Sequence, residues 1–100
     1  MPQKLHAAQS RVLNVLGSFK AIQPDVLQET GCHAYEIQID RLDIDRAMQS
    51  KVPFSILMSE KWQSLQDLEA NMHSPHMHAH RQAIEGLHPD VKVRILERIV

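Results

Sequence analysis

The residues able to do chemistry cluster between Phe54 and Met77, in the stretch FSILMSEKWQSLQDLEANMHSPHM. It holds a carboxyl (Glu60), an indole (Trp62), an amide (Asn71) and two imidazoles (His73 and His76). Imidazole is the side chain that exchanges protons near neutral pH. An indole offers a flat apolar surface on which an aromatic ring can rest. A primary amide donates and accepts hydrogen bonds without titrating. Together these types suit proton transfer on a small aromatic ligand held in one apolar pocket.

That chemistry needs elements that converge. From Leu5 to about Ile22, apolar residues fall at Leu5, Ala8, Val12, Val15, Leu16, Phe19 and Ile22, the three-and-four spacing of an amphipathic helix. Gly17 weakens that helix by about 1 kcal/mol relative to alanine. Pro24 predicts a kink or interruption, because it lacks an amide donor and crowds the preceding turn. Residues 25 to 29 complete a last turn, and Gly31 suits the left-handed stop. From Cys32 to Ile39 the period changes to two, with Tyr35, Ile37 and Ile39 opposite Ala34, Glu36 and Gln38, which predicts a strand. Residues 40 to 51 are charged (Asp40, Asp43 and Asp45 against Arg41 and Arg46) and read as a connection with a helical turn. Pro53 then opens a second strand, reaching Trp62, that puts Phe54, Ile56, Met58, Glu60 and Trp62 on one face.

Ser64 is the expected N-cap of a helix carrying Leu65, Leu68 and Met72. Ser74-Pro75 breaks it and restarts a shorter helix to about Ile84, stopping at Gly86. Pro89 precedes an expected last strand, residues 91 to 100, where Val91, Val93, Ile95 and Ile99 alternate with Lys92, Arg94 and Arg98. The order helix, strand, strand, helix, strand describes an α+β domain, a ferredoxin-like β-α-β-β-α-β unit whose N-terminal strand is missing. Residues 1 to 4 are too few to supply it.

Composition narrows the function classes. One hundred residues, 43% of them apolar, suit a single domain over 1–100 whose core gains from burial against a second subunit. A net charge of −1 with interspersed signs leaves no footprint for nucleic acid. No apolar run approaches the roughly 20 residues that cross a bilayer, and no secretory leader is visible. Cys32 is the single cysteine, so no intrachain disulfide forms, and a cytoplasmic location is the expectation.

Four pieces in order carry a family resemblance: Glu29-Thr30-Gly31-Cys32, Tyr35-Glu36, Glu60-Lys61-Trp62, and Ser74-Pro75-His76-Met77. With them the chain resembles the antibiotic biosynthesis monooxygenase family of dimeric α+β barrels, over roughly residues 2 to 100. The resemblance implies an antiparallel sheet with helices on one face, paired into a homodimeric barrel with a pocket in each subunit. It also implies cofactor-independent oxygenation of phenols or quinols, with haem degradation known in other members. Two departures stand out. Members commonly place a histidine nine positions after the tryptophan, where this chain has Asn71. The missing first strand carries a pocket asparagine in haem-degrading members.

Each candidate residue has a structural reading beside the chemical one. Trp62 walls an aromatic substrate, or packs in the core or a dimer interface. His76, following Pro75 at a helix start, is an acid/base group, or a cap facing solvent. Glu60 shares the face of Trp62 and holds a proton if buried, or forms a salt bridge. Tyr35 is a core residue whose hydroxyl seeks a partner, while Met58 and Met72 are expected pocket walls. His73, His76, His78 and His80 invite a metal reading, with His76 and His80 one turn apart, but no further ligand completes a tetrahedral set. No metal and no cofactor is expected.

The expectation is therefore a monooxygenase acting on a small aromatic phenol or quinol. Its catalytic residues would be His76, Asn71 and Glu60, and its substrate-binding residues Trp62, Met58, Tyr35 and Met72. The alternative is a non-catalytic dimeric module that binds a small ligand, which Asn71 and the missing strand favour. Haem binding is a third reading.

Overall fold

The structure, a computed structural model, describes residues 2–41, 43–44, 47–87 and 89–100, and side chains from Gln9 onward. Leu5, Ala8, Asp45 and Arg46, which the sequence reading used, lie outside the described side chains. Five main elements run in order: α1 (Pro2–Leu27), β1 (Cys32–Gln38), β2 (Leu57–Trp62), α2 (Leu65–Met72) and α3 (Pro75–Ile84), the last closed by a 3-10 turn, Glu85–Leu87.

Helix α1 forms where the apolar stripe predicts it, with Phe19, Ile22 and Val26 turned inward at three-and-four spacing. It is continuous through Pro24 to Leu27, which corrects the expected interruption. Proline there removes one ladder bond, a loss offset by the burial of Ile22 (7% exposed) and Val26 (0%) on either side of it. The chain leaves the helix through short-range bonds, Glu29 N–H to Val26 O at 3.0 Å and Cys32 N–H to Glu29 O at 3.2 Å. In the second of these turns Gly31 sits at φ 80°, in the left-handed region. A Cβ there would fall on the Asp67 side chain, so both backbone and space demand glycine.

β1 and β2 pair antiparallel, with Tyr35 opposite Glu60 and Ile37 opposite Met58. The register slips between Cys32, opposite Trp62, and Ala34, opposite Lys61, leaving His33 as an extra residue. This bulge turns Cys32 onto the same face as Tyr35 and Ile37, and it sets Met58, Glu60 and Trp62 on that face too. The second strand begins at Leu57, not Pro53. Pro53 and Phe54 make a turn, with Phe54 at φ 57°, so Phe54 and Ile56 do not share the strand face assigned to them.

Ser64 and Ser74 cap the two short helices as expected: Ser64 Oγ accepts from Asp67 N–H at 3.1 Å and Ser74 Oγ from Met77 N–H at 3.3 Å. Pro75 opens α3 at a position where its missing donor costs nothing. Helix α1 touches β1 and α3, while α2 touches β2 and α3. The core lies between them: Ile22, Val26 and Tyr35, with Phe19, Cys32, Met58, Trp62 and Met77 packed against it.

The expected final strand is not formed. Residues 91–100 carry no secondary structure, and Val91, Val93, Ile95, Leu96, Ile99 and Val100 are 67–96% exposed. Alternation alone does not make a strand; a ladder partner must lie beside it. No described strand precedes α1 either, so the described sheet is two-stranded.

Candidate functional site

The site is built where the turn after α1 meets the break between α2 and α3. Glu29 projects from that turn, and its Oε2 receives two donors: Asn71 Nδ2 at 2.7 Å and His76 Nε2 at 2.6 Å. Asn71, at the C-terminal end of α2, is 2% exposed. His76 occupies the first turn of α3, and the side chains of His76 and Glu29 are 21% and 17% exposed. Both sit at a margin that a small ligand or water can reach.

Near Glu29, Tyr35 is 2% exposed and its hydroxyl has no hydrogen-bond partner among the described residues. A buried, unpaired O–H is costly and is the kind of group a ligand oxygen satisfies. Burial raises the Tyr35 pKa well above the usual phenol range, and the nearby charges of Glu60, Glu29 and Cys32 push the same way. The hydroxyl therefore stays protonated and acts as a donor. Burial also raises the Cys32 pKa, with Glu29 and Glu60 adding to it, so its sulfur is a thiol rather than a nucleophilic thiolate.

The other expected residues are placed as follows. Trp62 is half-buried, and its indole N–H donates to Glu60 Oε1 at 3.0 Å. Glu60 is exposed, so it is not the buried, proton-holding acid considered from the sequence; its carboxylate is held by the indole on the same strand face. Met58 is half-buried against the core. Met72 is 52% exposed and does not join the core cluster. His73 and His78 are exposed, and no cluster of three metal-ligating side chains exists among the described residues.

Sequence reasoning missed Glu29 as a functional side chain. It stands in one of the resembling motifs, where local spacing marks it only as part of the last helical turn. A signal was available: an acid just before a left-handed glycine turn is carried back toward the next elements. The partner of His80 was missed as well. Its Nδ1 lies 2.7 Å from Ser18 Oγ, across the contact between α3 and α1, and its ring packs on Phe19.

Two surface hollows of about 370 Å³ each lie elsewhere. One is lined by His78, Arg81, Ile84, Glu85 and Pro89 among others, the other by Gln38, Asp40, Arg41, Gln49 and Leu57. Neither includes Glu29, Asn71 or His76.

The fold is an α+β unit in which an imidazole and a carboxylate meet near a buried phenol. A family model described as antibiotic biosynthesis monooxygenase matches residues 14–83, and the chain belongs to that family. It is 41% identical over 83 residues to "Probable quinol monooxygenase YgiN" of Escherichia coli (strain K12), covering 83% of this chain and 79% of that protein. The protein of the same name from Shigella flexneri matches to the same extent. Among the described residues no helix is long and apolar enough to cross a membrane.

Proposed function

We propose that this chain is a cofactor-independent monooxygenase acting on a small aromatic phenol or quinol. The observation that carries the reading is the imidazole of His76, held at 2.6 Å by Glu29, whose charge also acts on the buried Tyr35. The relatives named as quinol monooxygenases support the substrate class.

In this reading His76 takes a proton from a ring hydroxyl, and the resulting phenolate passes electrons to dioxygen. One oxygen atom enters the ring, the other leaves as water, and the substrate supplies the electrons. The protein's own work is to orient the ring, exclude water and move one proton. Tyr35 donates its hydroxyl to a substrate oxygen, while Trp62 and Met58 offer the apolar wall. Glu60 holds the indole by its N–H and so sets the angle of that wall.

The test is oxygen consumption with naphthoquinols or anthrones, measured above the uncatalysed background. Turnover that falls in His76→Ala and Trp62→Ala supports the proposal. A rate unchanged by both substitutions together sinks it. Saturable quenching of Trp62 fluorescence without any turnover would instead favour a ligand-binding module, the reading that Asn71 supports.

The active form in this proposal is a homodimer. Among the described residues both sheet edges lack a second neighbour, and the apolar residues of 91–100 are exposed. Pairing of that stretch across a two-fold axis would cover both. A well-folded monomer by sedimentation at micromolar concentration contradicts this.

A further inference from the structure

The corner has a feature that assigns more than a base. A single carboxylate oxygen, Glu29 Oε2, meets both Asn71 Nδ2 at 2.7 Å and His76 Nε2 at 2.6 Å. A carboxylate only accepts hydrogen bonds. Whatever faces it at these distances must therefore bring a proton: the amide N–H₂ of Asn71 and the Nε2–H of His76. The other ring nitrogen, Nδ1, makes no hydrogen bond to a described residue, and it is not a buried unpaired atom.

We propose that Glu29 is a positioning residue that fixes His76 as the Nε2–H tautomer and leaves Nδ1 as the nitrogen that accepts the substrate proton. This rests on the reading of His76 as the proton acceptor. The three residues divide the task by chemistry. Asn71, 2% exposed, cannot titrate and so cannot compete for the proton. Its amide instead pins the carboxylate to one position, because Oε2 has a second short bond holding it there. When Nδ1 takes a proton, the imidazolium that forms lies against a carboxylate already in contact with it, and no group has to move to stabilise the new charge. An amide at position 71 and a base at position 76 are thus two parts of one arrangement. A second imidazole at 71 would present a rival proton site to the same oxygen.

Placement explains why Glu29 can do this. It belongs to a turn locked by Gly31 at φ 80° and by the bond from Gln63 N–H to Gly31 O at 2.7 Å. Its backbone position is therefore set by β2 as well as α1. His76 is set independently, by the Ser74 cap and Pro75. The two side chains meet because two rigid frames meet.

The experiment combines ¹⁵N–¹H spectra of the His76 ring with steady-state kinetics. The wild-type protein should show Nε2 protonated and Nδ1 bare, with an Nε2–H proton shifted downfield and slow to exchange with water. In Glu29→Ala that exchange should quicken at least about 10-fold, and kcat should fall about 10- to 100-fold with KM little changed. Glu29→Gln preserves shape and folding but lacks the charge, so it should lose the downfield shift and most of kcat. Glu29→Asp, with the charge restored, should recover part of both. A wild-type ring protonated on Nδ1, or a Glu29→Gln ring spectrum identical to wild type, overturns the assignment. The spectra report on Glu29 whether or not a substrate turns over. Absence of turnover with the expected ring spectrum would count against the oxygenase reading alone.

Discussion

Two turns of α3 carry the same side chain to opposite ends. His76 and His80 are four residues apart and so share one face of the helix. At the first turn, the His76 ring meets a carboxylate and keeps one nitrogen open at a margin 21% exposed. At the second, His80 is 4% exposed, bonded to Ser18 at 2.7 Å and packed on the Phe19 ring at 4.2 Å. The difference comes from what lies opposite. The α1 chain has already turned away at Glu29 beside His76, but runs alongside α3 beside His80. One imidazole keeps a ring nitrogen without a described partner, while the other makes a hydrogen bond between helices. Residue type and spacing are identical; the neighbouring backbone decides the role.

The sharpest way to break this comparison is to remove each ring in turn. His76→Ala should cost turnover about 100- to 10,000-fold while changing the melting temperature little. His80→Ala should do the reverse, leaving the chemistry at His76 intact in the molecules that remain folded. Equal losses of kcat in two equally stable variants would dissolve the distinction.

Next in size is an effect confined to the His76 side. Gly31→Ala imposes a left-handed alanine and drives its Cβ onto Asp67. Urea denaturation should show a loss of about 1–3 kcal/mol. Adding Asp67→Ala should recover part of this, since it removes the collision but not the backbone strain. A silent Gly31→Ala would mean that the turn carrying Glu29 is not held as described.

The His80 side should show itself through pH. Burial, followed by the nearby Arg81 charge, lowers its pKa below the ordinary 6.5. The folded state therefore binds that proton less readily than the unfolded chain does. Between the folded value and 6.5 the unfolded chain carries more protons, so stability falls as pH drops through that window and is fully present above it. His80→Gln, which keeps a hydrogen bond but cannot titrate, should flatten that acid slope. Denaturant midpoints between pH 7.5 and about 5 would read the change.

The smallest expected effect touches both rings together. Ser74→Ala removes the cap of the helix that bears them and should cost about 1 kcal/mol in stability. A modest rise in KM should accompany it, because His76 lies in the first turn, where fraying begins.

Much of the frame was legible in the chain because its signals are local. The α1 stripe, both serine caps, Pro75 at a helix start and the alternation of Cys32–Gln38 each depend on residues within a few positions of one another. Those signals misled where an element depends on distant partners. Residues 91–100 alternate as well as β1 does, but no described strand pairs with them. Pro24 breaks helices by local rule, yet α1 runs through it because the flanking residues are buried by β1 and α3.

The sequence by itself determined the family, the antiparallel α+β order, and His76 and Trp62 as residues to watch, because motif spacing and helix caps are written within short segments. Only the tertiary structure decided that Glu29 reaches across 42 and 47 positions to Asn71 and His76. It alone decided that Tyr35 is left with an unpaired hydroxyl, that Glu60 is exposed and spent on the indole, and that His80 is sealed against Ser18. Each of these outcomes depends on which backbone lies opposite a side chain. That is a property of packed elements, and no window of sequence contains it.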